Sequence, residues 1–576
     1  MCLEKFLAAA LFLFTFALSC TAEVKIDEKS MFPLTEDSKQ KSGVKYGEWI
    51  ESKFSASKVF PGTERKVWVY VPAEYGGNEK ACVVVLQDGP QFHIGNVISN
   101  LLAKGEIPMM IAVASSPGIV AGGKDKDSPR ANRTLEYDTP SPRFAKFVVS
   151  ELLPFAETLK TKDGRRIILS KSGNDRMIAG FSSGAAAAFN AAWACPWEFS
   201  RVFTGSGSFT GLRGSFANAT LVHKYEPKPL RIFMQSGSRD MWTCFGDWWS
   251  ANQSMARALE FAGYDFKFSF GEASHRGFHS DMIMPDVMRY LWKDWPKPVE
   301  ASQKSRNHIL QDVLIPGEPF IKIADADIED CLVMGENASV ALAGEKSVKA
   351  LWGNGDFHAG TVAKGLKADL SLQNGILKIR SGNNFAEICK RVAYARAVAT
   401  RGSHFYALLS YSGADASLVS IDADGNISEL DKNVVTKGAV GIAANENWLY
   451  VFDSATRRGY SYKVLDGGKI DCKQEFFFLH VPDQCDGTSA SSAVCDDSGR
   501  VYLATSAGIQ ICDYNGRSAA ILELPMGELP LSLAFGGEGM SELFVVGHRG
   551  NVFKRKTKAK GASVFTPPPK IRVGAG

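Results

Sequence analysis

The stretch Met177 to Trp193, MIAGFSSGAAAAFNAAW, constrains the fold more than any other part of the chain. Met177-Ile178-Ala179 is a short apolar run that reads as a buried strand. Ala185 to Trp193 is dominated by the best helix former and contains no Pro. Between them, Gly180-Phe181-Ser182-Ser183-Gly184 makes a turn with glycine on both sides. In a chain with 54 Gly, a bare G-x-S-x-G pentapeptide carries little weight. The context supplies the weight. A strand that turns sharply into a helix sets the serine on a strained corner, beside the free N–H groups of the helix start. Ser182 is therefore a candidate nucleophile. The competing reading is a glycine-lined turn in an ordinary sheet protein.

A chain of 576 residues exceeds one ordinary core, so two or more domains are expected. Over 43–298, strands such as KVWVYVP, ACVVVLQDG and MMIAVAS alternate with helical stretches such as RFAKFVVSELLPFAETL and WWSANQSMARALEFAG. That alternation predicts an α/β domain with a mainly parallel sheet. After the Pro-rich WPKP, a polar linker, 299–315, follows. Over 316–566 the rhythm changes to short strand pairs joined by Asp-Gly or Asn-Gly turns. The anchors Tyr406, Tyr450, Tyr502 and Phe544 recur about every 40 to 50 residues, which predicts an all-β propeller of about six blades. A β-sandwich is the alternative, and the repeat speaks against it.

In α/β hydrolases the acid and the base follow the nucleophile at the ends of later strands. Both slots are filled here. After the strand RIFMQ comes SGSRDMWTCFGDWW, which offers Asp240 and Asp247. After the strand FKFSF comes GEASHRGFHSD, which offers His275 and His279. The mechanism needs a His to take the Ser182 proton and a carboxylate to fix its tautomer. Asp240 and His275 are preferred because each sits just past its strand. Asp247 reads better as the cap of the next helix. An oxyanion needs two donors. Ser183 N–H is one. The other comes from the loop LQDGPQF, where Pro90 has no N–H, so it falls to Gly89 or Gln91. Asp88 would be unwelcome beside an oxyanion and reads as structural. Trp242, Trp248 and Trp249 offer rings for stacking on a sugar or a phenolic acid, with core packing as the rival role for two of the three.

The segments VVVLQDG, NRTLEYD, AGFSSGAAAAFNAAW, SGSRDMW and GEASHRGFH resemble an esterase family of α/β hydrolases. That family includes enterochelin, feruloyl and acetylxylan esterases. The resemblance spans about 45–298 and implies Ser182 as nucleophile, Asp240 as acid and His275 as base. It implies an ester of a carbohydrate or related natural product as substrate, and no cofactor. The second half, through NENWLYVFDSATRRGYSYKVLDGGKI and DDSGRVYLATSAGIQICDYNGR, resembles gluconolactonase and regucalcin-like propellers. Members with lactonase activity hold a divalent cation with Glu, Asn and Asp. Here Val440 and Ser491-Ser492 stand where ligands are expected, the earlier Asn position falls near Ala395, and only Glu329 matches. Asp483 and Asp486 are the nearby substitutes. A hard cation is poorly served by such a set, so no metal is expected. The readings that follow are a serine-dependent carboxylic ester hydrolase, a metal-dependent lactonase acting through the propeller, and a non-catalytic carbohydrate-binding protein.

A net charge of +4 gives no reason to expect nucleic acid as a partner. The apolar run Phe6 to Leu18 after Lys5 has the length of a signal-peptide core. Residues 1–22 thus read as a signal peptide and 23–42 as a linker. Ala17-Leu18-Ser19-Cys20 resembles a bacterial lipobox, whereas cleavage after Ala22 would release a soluble protein. Either route exports the chain, to the periplasm, the outer membrane or the medium, and any membrane contact is through a lipid on Cys20. The 11 Cys show no C-x-x-C; Cys485 and Cys495 are a candidate disulfide pair.

Overall fold

The computed structural model describes residues 27–123, 128–327, 329–402 and 404–565. Residues 1–22, expected as a signal peptide, and Cys20 among them lie outside the described residues. No helix among the described residues is long and apolar enough to cross a membrane. The segment expected as a linker is packed from Asp27 onward. Asp37 is held by Lys41, Lys104 and Arg289, and Phe32 stacks on His279.

The first region is built on one mixed sheet. Strands Asp265–Ser274, Arg231–Arg239, Arg201–Gly205, Arg176–Phe181, Cys82–Gln87 and Met110–Ser115 lie in that order, each parallel to its neighbour. Thr63–Val71 then pairs antiparallel with Met110–Ser115, and Glu48–Phe54 with Thr63–Val71. This is the strand order of an α/β hydrolase, 1-2-4-3-5-6-7-8. The central strands CVVVLQ and MIAVAS are buried along their whole length, as parallel strands covered by helices on both faces must be. One apolar layer contains Phe147, Phe189 and Met255; the other contains Ile98, Met284 and Leu291. The ends of the parallel strands lie on one edge, and the loops that carry chemistry leave from there.

The second region is a six-bladed propeller of small antiparallel sheets. Strands within 331–352 form a three-stranded sheet, and those within 361–390, 394–435, 439–478 and 492–522 form four-stranded ones. The sixth sheet closes the ring. Ile321–Asp325 pairs with Asn551–Lys556, so the first strand of the propeller completes its last blade. Tyr406, Tyr450, Tyr502 and Phe544 each fall in the second strand of their own blade, which is why they repeat.

The two regions are docked by buried polar contacts. Arg555 grips Glu226 through two bonds of 2.7 and 2.8 Å. Tyr225 donates to Ala507 O at 2.9 Å, and Lys228 meets Glu523 at 2.7 Å. Asn307, the cap of helix His308–Val313, donates to both His223 O and Ala519 O, so the segment expected as a linker is itself pinned. Cys485 and Cys495 are not paired; both are free thiols, and Cys495 is buried.

Candidate active site

Strand Arg176–Phe181 delivers the chain to Ser182, and helix Ser183–Ala194 leaves from it. Ser182 takes φ 59° and ψ −127°, a region L-residues rarely occupy and one that stores strain. The turn is tight enough to require Gly180: a Cβ there would lie 2.2 Å from Gly184 O. The Ala run lets the helix seat flush on the sheet, with Ala185 to Ala188 buried. Ser182 N–H donates to Gly205 O and Ser182 O accepts from Ser208 N–H, so the corner is fixed from the neighbouring strand.

The three residues singled out for the triad come together. His275 Nε2 stands 2.8 Å from Ser182 Oγ, and His275 Nδ1 stands 2.6 Å from Asp240 Oδ1. Asp240 follows strand Arg231–Arg239, and its side chain is 0 % exposed. His275 follows strand Asp265–Ser274, and its side chain is 17 % exposed. Phe181 and Trp248 flank the imidazole, with ring centroids 5.1 and 5.9 Å away. The proton on Nδ1 is assigned from the carboxylate beside it.

The alternatives separate cleanly. Asp247 caps helix Trp248–Ala262, accepting from Trp249 N–H at 2.9 Å and Ser250 N–H at 3.3 Å. His279 is buried between Phe32, Gln235 and Ser269, and burial lowers its pKa. Asp88 is neutralised: Arg133 Nε and Nη2 each donate to it at 2.8 Å.

Two expectations are corrected. Gly89 N–H donates to Ser115 O at 3.1 Å and is not free to face an oxyanion. Gln91, the alternative, has no acceptor for its N–H among the described residues, and Ser183 N–H opens its helix, where no intrahelical acceptor exists. Trp248 offers no stacking face, because it is 2 % exposed and spends its N–H on Ser208 Oγ at 3.0 Å. Trp249 packs edge-on against Phe270. Trp242 is 86 % exposed on a small hairpin and remains available for a ligand. Sequence reasoning passed over Ser208, whose hydroxyl lies 3.5 Å from Ser182 Oγ. Beside the site lies a cavity of about 620 Å³, lined by Tyr46, Trp49, Tyr70, Gln91, Phe181 and Gly277.

The propeller has an axial channel with a cavity of about 170 Å³. Val440 and Ser491 line it, and so does Arg396, one residue past the expected Asn position. Glu329 is exposed and absent from the wall. Asp483 lies in the cleft between the two regions instead. Among the described residues no group of three or more His, Cys, Asp or Glu is placed to hold a metal ion. A valine, a serine and a guanidinium are the wrong donors for a hard dication, so the channel does not fit one.

With this geometry in place, comparison with known proteins places each half. Residues 57–265 match an esterase family model. Its description is "Putative esterase", and the match supports a hydrolase acting on esters. Residues 397–549 match the SMP-30/gluconolactonase/LRE-like region. Similar solved structures include a ferulic acid esterase, 18 % identical with a TM-score of 0.34, over 43 % of this chain and 99 % of that one. The enterobactin esterase of Shigella flexneri is 19 % identical with a TM-score of 0.33, over 42 % of this chain and 59 % of that one. A gluconolactonase of Xanthomonas campestris is 14 % identical with a TM-score of 0.35, over 43 % of this chain and 92 % of that one. No curated protein matches the chain.

Proposed function

We propose that the chain is an exported serine esterase that cleaves carboxylic esters of a carbohydrate or related natural product, with the propeller as an accessory domain. One observation carries the reading: Ser182, on a strained corner, is joined through His275 to the buried Asp240 by contacts of 2.8 and 2.6 Å. His275 Nε2 takes the Ser182 proton as Oγ attacks the ester carbonyl. Asp240 holds Nδ1–H and stabilises the imidazolium. The N–H groups of Ser183 and Gln91 are the donors for the oxyanion. His275 then returns the proton to the leaving alcohol, and water, deprotonated by the same imidazole, releases the acid. The aromatic cavity of Tyr46, Trp49 and Tyr70 suits one ring of the substrate.

The lactonase reading keeps the family match of the propeller but lacks the ligands, so no step is routed through a metal. The test is a screen of the purified protein against aryl acetates, feruloyl esters and aldonolactones, with and without chelator. The proposal expects ester turnover that chelator leaves unchanged. Chelator-sensitive lactone hydrolysis with no ester turnover would replace it with the lactonase reading.

A further inference from the structure

We propose that the propeller channel is a binding site for a small monocarboxylate, held by Arg396. The argument starts from charge. Three cations line the channel cavity. Lys364 meets Asp369 at 3.3 Å and Arg401 meets Glu446 at 3.4 Å. Arg396 meets no carboxylate among the described residues. Its Nε donates to Ser491 O at 3.1 Å and its Nη1 to Ala395 O at 3.3 Å, while its plane lies over the Tyr394 ring at 5.1 Å. Nη2 has no acceptor among the described residues.

Ser491 belongs to a blade two removed from that of Arg396, so the guanidinium reaches across the channel and is fixed from both sides. A fixed guanidinium with spare donors is pre-organised for an anion, because the geometry is set before the ligand arrives. Beside Arg396 the wall carries apolar side chains, Val398, Val440, Ala493 and Leu533 among them, with Glu446, Ser491, Ser492 and Ser532 among its other polar members. Of the hydroxyls nearby, Ser491 donates to Leu531 O and Ser492 accepts from Leu533 N–H. One positive charge without a carboxylate partner, beside apolar side chains, suits one negative charge on a short apolar body. A single unpaired guanidinium matches a monoanion better than a dianion in charge, and a dication would be repelled. The cavity of about 170 Å³ suits a small ligand. The site is separate from Ser182 and does not depend on the esterase reading.

The test is calorimetric titration of the full-length protein with short monocarboxylates, acetate to hexanoate, with butyramide as the neutral counterpart and inorganic phosphate as the dianion. The proposal expects saturable one-to-one binding of at least one carboxylate, no binding of butyramide, and phosphate weaker than that carboxylate. Arg396→Gln should weaken the carboxylate at least about tenfold while hydrolysis of an aryl acetate stays unchanged. Ser182→Ala should leave the binding intact. Absence of binding by every carboxylate, equal binding of butyramide, or tighter binding of phosphate would overturn the proposal. So would binding that survives Arg396→Gln or vanishes with Ser182→Ala, since the ligand would then sit elsewhere. If Arg396→Gln does not fold, the comparison of carboxylate with butyramide on the natural chain still decides.

Discussion

Arg133 and Asp88 face each other through two hydrogen bonds of 2.8 Å, one to each carboxylate oxygen. The pair sits against the first turn of the helix that starts after Ser182: a Cβ on Gly184 would lie 3.2 Å from Asp88 Oδ2. Without Arg133, a bare carboxylate would stand beside the place where negative charge develops. Arg133→Met should therefore lower kcat about tenfold, a cost of about 1.4 kcal/mol at the transition state. Asp88→Asn in the same chain should restore most of it, and steady-state kinetics on the double-mutant cycle reads the coupling.

The two carboxylates of the loop after strand Arg231–Arg239 should part in their effects. Asp240→Asn presents the wrong imidazole tautomer and should cost about 10⁴ in kcat. Asp247→Ala removes a helix cap and should cost about 1 kcal/mol of stability, with little change in turnover. Kinetics and thermal unfolding of the two variants side by side check both.

Local pattern made much of this legible. The elbow, the acid loop and the His loop each lie within a few residues of a strand end, so strand pattern together with the G-x-S-x-G motif and the order Ser, acid, His pointed to Ser182, Asp240 and His275. Contacts between distant segments were not legible. Nothing in LQDG announces that Gly89 N–H is taken by Ser115 O on the next strand, or that Trp248 is buried against Ser208. The propeller repeat was readable where aromatic anchors recur, and its closure by Ile321–Asp325 was not, because that strand pairs with one more than 200 residues later. Arg396 went unnoticed because its meaning lies in the missing carboxylate, which only the folded channel displays.

Asp138 supplies a pH dependence. It is fully buried behind the elbow, and burial pushes its carboxyl up to about 6 from 3.8 against the opposing pull of Ser183, Arg133 and Thr134. A raised folded-state pKa means the folded chain binds the proton more tightly than the unfolded one. The stability this contributes is fully present below about pH 4 and is lost as pH rises through about 6. Asp138→Asn should therefore raise the stability at pH 8, by an amount on the order of 1–3 kcal/mol. The gain should shrink to nothing near pH 3.5. Denaturant unfolding at both pH values checks the sign.

The Arg555–Glu226 pair should govern docking of the propeller. The Arg555 side chain is 4 % exposed and that of Glu226 31 %, so removing one partner strands a charge at a mostly buried interface. Arg555→Met should cost about 1–3 kcal/mol, below the full cost for a deeply buried pair because Glu226 keeps some water. Calorimetry should show the two regions unfolding further apart in temperature than in the natural chain.

The central claim is that Ser182 is the nucleophile. The direct measurement is turnover of an aryl ester by Ser182→Ala, together with mass spectrometry of the natural chain after treatment with a fluorophosphonate. The account predicts a loss of several orders of magnitude in kcat, down to the ~10³–10⁴-fold rate over water left by the remaining site. It also predicts one phosphonyl adduct per chain, on Ser182. Near-natural turnover by Ser182→Ala, or an adduct on any other residue, would contradict it.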